Sequence, residues 1–430
     1  MKIPNFFAVL FVVAGATMFS SGCKSNSTSP KTSTDPAKAA QLVTAASEIL
    51  IPRVALIATL PSDTAAFDLS SANILYSQAL DQDPGSLDAH FGFALTEVLT
   101  LFSDPTVAKL QQSGEVGFSA NAMLSILKSG GVQQFTRPIT SDVLGKIRLA
   151  NQPSLALHTV LAKSQAGQLP SHDQAIVETN ILPVLANAIV HLQQVTNTPC
   201  YQFLITPQLM GVNNGPTYRI DLTEIYLLLA VFQFFDADGS LFVAYNTDYT
   251  SSTASSVTQA WQPSSPFLTL RTNGVQRMKD TRTNYLAMAT SIRNGLTFLM
   301  HETPHPETDV IVYNPQDQSQ VQSAIQDVDS LTAFLSGPYS IGGATANVGS
   351  LFLNPITDVK AKLPAYTASS RPNSSGTYDA VLTWQASSFD TWVFPDPTFN
   401  GFLPGMTNSG LKQMFEINAS TWSSSVIISG

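Results

Sequence analysis

Apolar residues recur at spacings of three and four along most of the chain up to Gly337, the periodicity of helices that bury one face. From Ala39 to Leu60 the stripe is Leu42, Ala45, Ala46, Leu50, Val54 and Ile57. Asp35-Pro36 supplies its cap and first turn, Pro52 is expected to kink it and Pro61 to end it. The same pattern predicts helices over 64–81, 86–102, 121–128, 141–150, 153–166, 172–195, 221–235, 240–246, 275–301 and 319–335. Leu182, Leu185, Ile189 and Leu192 mark one face of the 172–195 helix, where Pro183 is expected to kink the chain. Val321, Ala324, Ile325, Val328, Leu331 and Leu335 mark the last helix, which Gly337-Pro338 stops. Short strand-like runs lie at 201–206, 310–313, 350–353 and 426–429.

After Gly337 the helical period fades, and Gly, Pro, Ser and aromatic residues dominate, as in Thr391 to Met406 (TWVFPDPTFNGFLPGM). Such a segment cannot form long regular elements. Its aromatic side chains are expected to find burial against the helical body. The fold class read from the pattern is therefore mainly α, built of antiparallel helical hairpins in a solenoid-like array. An irregular Pro/Gly/aromatic-rich C-terminal segment and a few short strands complete it.

The junction between the second and third helices carries a more specific pattern. Ala72, Tyr76, Ala79 and Pro84 stand at offsets of zero, four, seven and twelve, and the next helix presents Ala89, Phe91, Phe93 and Ala94. This arrangement resembles a tetratricopeptide repeat, in which small residues let neighbouring helices approach and aromatics fill the space beside them. His90 stands where the repeat has an aromatic. The resemblance covers about 50 residues with no second good copy, whereas such arrays need three or more units. An unrelated helical hairpin with Ala/Tyr packing explains the same residues.

At the N-terminus Met1-Lys2 precedes an uncharged apolar run from Phe6 to Phe19, then Ser20-Ser21-Gly22-Cys23. The run has the length of a signal-peptide core and is too short for a membrane span. Gly22-Cys23 resembles a bacterial lipoprotein processing site, which implies a diacylglyceryl group on the Cys23 sulfur and cleavage before Cys23. Ser20 departs from the usual Leu of that motif. The Ser/Thr/Pro tract from Lys24 to Pro36 suits a tether. The expected organisation is a signal peptide over 1–22, a tether over 23–35, a helical body over 36–337 and the C-terminal segment over 338–430. The expected location is the bacterial cell envelope, the outer membrane's periplasmic face in particular. Lipidation of Cys23 would leave Cys200, the only other cysteine, without an intrachain partner, and Cys200 is expected to be a small buried apolar filler.

Charge narrows the partners. Lys and Arg number 21 against 30 Asp and Glu, giving a net charge of -9, and no Lys or Arg occurs from Ser164 to Tyr218 or from Asn294 to Val359. Nucleic acid, whose phosphates need clustered cations, is excluded as an expected partner. The charged fraction of 12% with 44% hydrophobic residues also excludes a charge-rich disordered chain.

Motifs for catalysis are weak. His301-Glu302-Thr303-Pro304-His305 reads as H-E-x-x-H, the string that in zinc proteases puts two imidazoles one helical turn apart. Pro304 and Pro306 are incompatible with a helix there, so the helix is expected to end near His301 and no metal is expected. Asp236-Ala237-Asp238-Gly239-Ser240 lacks the Gly and the acidic ligand that a calcium loop needs where Leu241 and Thr247 stand, and a turn between helices is expected instead. Asp396 and Asn400 are a weak candidate pair for a divalent cation. Nucleophile-elbow, dinucleotide and phosphate-loop motifs are absent from the sequence, so neither catalytic residues nor a cofactor are expected. Trp384, Phe389, Trp392, Phe394, Phe399 and Phe402 form a possible ligand platform for a sugar or peptide, with core packing as the plainer role. Two functions are thus in view: a lipid-anchored helical-repeat module that binds an envelope protein, and a solute-binding lipoprotein that serves an outer-membrane transporter.

Overall fold

The computed structural model describes residues 35–59, 68–107, 170–209, 215–248, 252–302, 318–341, 344–414 and 422–428, with 308, 309, 311, 313, 316 and 420. The signal, the tether, Cys23 and the helices predicted over 121–128, 141–150 and 153–166 lie outside the described residues.

Helix α1 (Pro36–Thr59) starts where Asp35 caps it: the Asp35 carboxylate accepts from the Lys38 N–H at 3.0 Å. The helix runs on through Pro52, which is exposed, so the hydrogen bond it cannot make lies on the wet side. α2 (Ser70–Gln82) and α3 (Leu87–Thr100) follow, and the Asp35 N–H donates to the Gln82 carbonyl at 2.9 Å, tying the start of α1 to the end of α2.

Tyr76 holds these three helices together. Its ring is fully buried, its hydroxyl lies 2.9 Å from the Ser47 Oγ of α1, and a Cβ built on Gly92 of α3 would stand only 2.2 Å from the ring. Glycine at position 92 is therefore what lets α3 lie against the aromatic face. Ala72, Ala79, Ala89 and Ala94 are likewise fully buried, Phe91 is 3% exposed, Phe93 is half-buried and Pro84 is exposed in the turn.

Helix α4 (Pro170–Ile176) passes through one π turn (Val177–Ile181) into α5 (Leu182–Thr196). The widened turn lies directly ahead of Pro183, where the helical ladder must lose a donor. It also turns Glu178 toward two cations, Arg271 at 3.1 Å and Arg277 at 3.2 Å. α5 packs between α3 and α6. The strands β1 (Phe203–Ile205) and β2 (Tyr218–Ile220) pair antiparallel between α5 and α6 in sequence.

Helix α6 (Leu222–Phe242) is apolar on nearly every side and almost entirely buried. By length and composition it could cross a membrane, yet 72% of its most apolar window is covered by protein, as befits a core helix. Asp221 and Glu224 close a capping box at its start. The expected turn at Asp236–Ser240 and a separate helix over 240–246 are corrected here, since α6 is continuous through the polar cluster. Gly239 abuts Leu182 of α5, Asp236 accepts from the Ser240 hydroxyl at 3.2 Å, and Asp238 accepts from the Tyr285 hydroxyl.

Short α7 (Ala254–Ala260) leads to the longest helix, α8 (Gly274–His301), which packs along α6. Gln233 and Ser291 join them through a buried hydrogen bond of 2.8 Å. α9 (Gln318–Ser336) packs on α8 with the predicted stripe buried except Ile325. Contacts between helices thus run α1–α2–α3–α5–α6–α8–α9, each helix packing chiefly on its neighbours in that order.

The C-terminal segment is more regular than expected. β3 (Pro338–Ile341) pairs with β4 (Ala344–Asn347). The run at 350–353, expected to be strand-like, belongs instead to helix α10 (Val348–Leu353), which Asn347 caps by accepting from the Ser350 N–H. β5 (Tyr366–Pro372), β6 (Tyr378–Trp384) and β7 (Ser425–Ile428) form an antiparallel sheet, turned at Asn373–Thr377 by Gly376 with φ of 78°. The sheet packs on α7 through Trp261, Phe267, Tyr366, Leu382 and Ile428, and α11 (Asn408–Met414) sits in the aromatic-rich stretch before β7.

Replacing Gly92 with Ala should drive a methyl into the Tyr76 ring and destabilise the protein by about 1–3 kcal/mol. A urea melt of Gly92→Ala with an unchanged midpoint would show that α3 does not lie against Tyr76 as described.

Candidate functional site

The repeat-like junction places a histidine pair between α3 and α5. His90 Nδ1 lies 2.7 Å from His191 Nδ1, and His90 Nε2 lies 3.0 Å from the carbonyl oxygen of Pro84. A carbonyl only accepts, so His90 carries its proton on Nε2 and His191 donates from Nδ1. The Phe93 ring lies against His191 with centroids 4.6 Å apart. Burial holds both imidazoles below the ordinary histidine pKa, and His90 helps bring His191 down to about 4. Sequence reasoning located both histidines in helices but had no means of joining residues 101 positions apart.

A second cluster lies where the H-E-x-x-H string begins. α8 ends at His301, as the prolines require, and the His301 Nδ1 lies 2.7 Å from the Thr297 carbonyl oxygen of its own helix. Glu302 turns inward to Arg219, whose guanidinium also meets Asp221 and, at 2.6 Å, Asp309. Glu224 accepts from the Asp221 and Ile311 N–H groups at 2.9 and 3.0 Å. Burial and the neighbouring Asp221 raise the Glu302 carboxyl to about 9, so that it is protonated at neutral pH and donates to Asp221. Glu224 is raised as well, by burial first and then by Asp221. Buried acids around one arginine make a clasp that joins β2, the start of α6, the end of α8 and the chain at Asp309. His305 lies outside the described residues, and among those described no three His, Cys, Asp or Glu side chains gather as a metal cage.

Asp396 and Asn400 do not leave a cation site open. The Asp396 carboxylate accepts from Lys362 Nζ at 2.8 Å, from the Thr398 hydroxyl and from the Asn400 N–H, which together hold its pKa far below the usual carboxylate range. A lysine stands where a divalent ion would be needed.

The C-terminal aromatics pack on one another. Trp384, Trp392, Phe394 and Phe399 form a chain of tilted and edge-on rings, Trp392 and Phe394 are buried, and Phe402 packs in the same cluster. Beside them lies an open groove of about 400 Å³ lined by Pro364, Ala365, Gln385, Ala386, Ser387, Thr391, Val393 and Pro395. None of the expected platform aromatics lines it; Trp384, Trp392, Phe394, Phe399 and Phe402 pack in one cluster, and Phe389 lies under the Lys412 ammonium.

Cys200 departs from expectation twice. It is exposed in the turn after α5, because the alternation that buries Tyr201, Phe203 and Ile205 puts Cys200, Gln202 and Leu204 outward. It is also disulfide-bonded.

Comparison with protein-family models, curated proteins and solved structures finds no match.

The clasp sets a pH dependence. A carboxyl whose folded pKa is raised contributes stability that is complete below the unfolded value of about 4.5 and is lost as pH rises toward about 9. Glu302→Gln keeps a donor for Asp221 and removes the titration. Its stability relative to the parent should therefore rise between pH 5 and pH 9 in urea melts; a difference that is flat across that window would mean that Glu302 is ionised in the folded protein.

Proposed function

We propose that the protein is a lipid-anchored envelope protein whose helical array serves as a binding or scaffold module for another protein. The observation that carries this reading is the packing order of the array: the described helices contact one another in the series α1–α2–α3–α5–α6–α8–α9, and the repeat-like residues Ala72, Tyr76 and Ala79 are fully buried at its first junctions. Arrays of this kind present extended surfaces and not a single enclosed cavity. The anchor rests on the apolar segment from Phe6 to Phe19 followed by Gly22-Cys23, and we assign the lipid to Cys23. Stable attachment needs two or more acyl chains, which a processed Cys23 would carry on sulfur and amine.

The groove at Pro364–Pro395 supports solute binding as a second reading. It is shallow and lined chiefly by Pro, Ala and Val, which suits an apolar or extended ligand better than a charged nutrient.

The test is intact-mass and peptide mapping of the protein extracted from its own membranes. The expected result is a mature chain that begins at acylated Cys23, with Cys23→Ala moving the protein to the soluble fraction. Recovery of a Cys23–Cys200 disulfide peptide from unprocessed or soluble protein would overturn the anchor.

A further inference from the structure

We propose that His90 and His191 form a transition-metal site, in which their two Nδ1 atoms bind one Cu²⁺ or Zn²⁺ ion across the α3–α5 contact. Two features of the pair's geometry fit a ligand set. The Pro84 carbonyl fixes the proton of His90 on Nε2, so the Nδ1 lone pair points at the partner ring. Metal-bound histidines are oriented in this way by a backbone acceptor on the nitrogen away from the ion. The Phe93 ring limits how far His191 can turn.

The geometry needs a small adjustment. Two nitrogens bound at about 2.0–2.1 Å to a tetrahedral ion stand about 3.3 Å apart, against 2.7 Å in the hydrogen-bonded pair. The two nitrogens must therefore move apart as the metal enters. The proton of His191 moves from Nδ1 to Nε2 as the metal enters, so no net proton is released. Imidazole ligands with neither carboxylate nor thiolate select copper, zinc or nickel over magnesium and calcium, and copper is bound most tightly among divalent ions. Remaining coordination positions are left to water. A metal there would cross-link α3 to α5, which adjoin in space although 81 residues, among them 108–169 outside the described structure, separate their sequences.

The test titrates the metal-stripped full chain with Cu²⁺ and then Zn²⁺. Expected results are one Cu²⁺ per chain, electron paramagnetic resonance showing coupling to two imidazole nitrogens, and a raised Tm. His90→Gln and His191→Gln, each checked for folding by circular dichroism, should each weaken binding by at least about tenfold. His301→Gln/His305→Gln should bind as the parent does. Binding that survives in both single variants, resonance showing a different ligand set, or no stoichiometric copper in the parent would overturn the proposal. The resonance measurement is made on the parent chain, so it decides the matter even if a variant fails to fold.

Discussion

A helix without a polar face has to be surrounded, and Leu222–Phe242 is such a helix. Its flanks accept α5 on one side and α8 on another. Several of its polar side chains find partners, Glu224 in backbone N–H groups, Gln233 in Ser291 and Asp238 in Tyr285. Leaving any of these unpaired inside the core would cost about 1–3 kcal/mol. The length of α8 follows from this requirement, because a partner of 28 residues is what covers 21 residues of α6 and still reaches the Arg219 clasp at one end and α9 and α10 alongside.

From that centre the array extends in both directions by nearest-neighbour contacts. Toward the N-terminus the packing tightens to the spacing of Gly92 on Tyr76. Toward the C-terminus it changes character, and a three-stranded sheet is held to the helices through α7 and through Lys360, whose buried Nζ donates to the Ser265 and Phe267 carbonyls. The histidine pair and the Arg219 clasp occupy different joints of this array. Each connects elements distant in sequence, and each depends on helices that α6 holds in place.

Helices with one-sided stripes could be read from the sequence nearly to their ends, as with 275–301 against Gly274–His301, because their burial is itself one-sided. What escaped was set by partners far along the chain. Asp236–Ser240 has the composition of a turn and is helical only because Tyr285 and the surfaces of Leu182 and Val177 receive it. The β5–β6 hairpin escaped because β5 exposes Ser and Thr and β6 breaks its alternation where Asp379 and Ala380 are both buried. The repeat-like pattern gave no hint of the residue that faces the Tyr76 ring, which is Gly92. The histidine pair and the acid clasp leave no local pattern at all, since every member except the Asp221/Glu224 box comes from a separate element.

Native-state hydrogen exchange measured along the chain tests this account most directly. With α6 as the element on which the others depend, its central amides and those facing it in α8 should exchange only through global unfolding, with protection falling toward α1 at one end and the β5–β7 sheet at the other. Amides of α6 that exchange faster than those of α2 or α9 would contradict it.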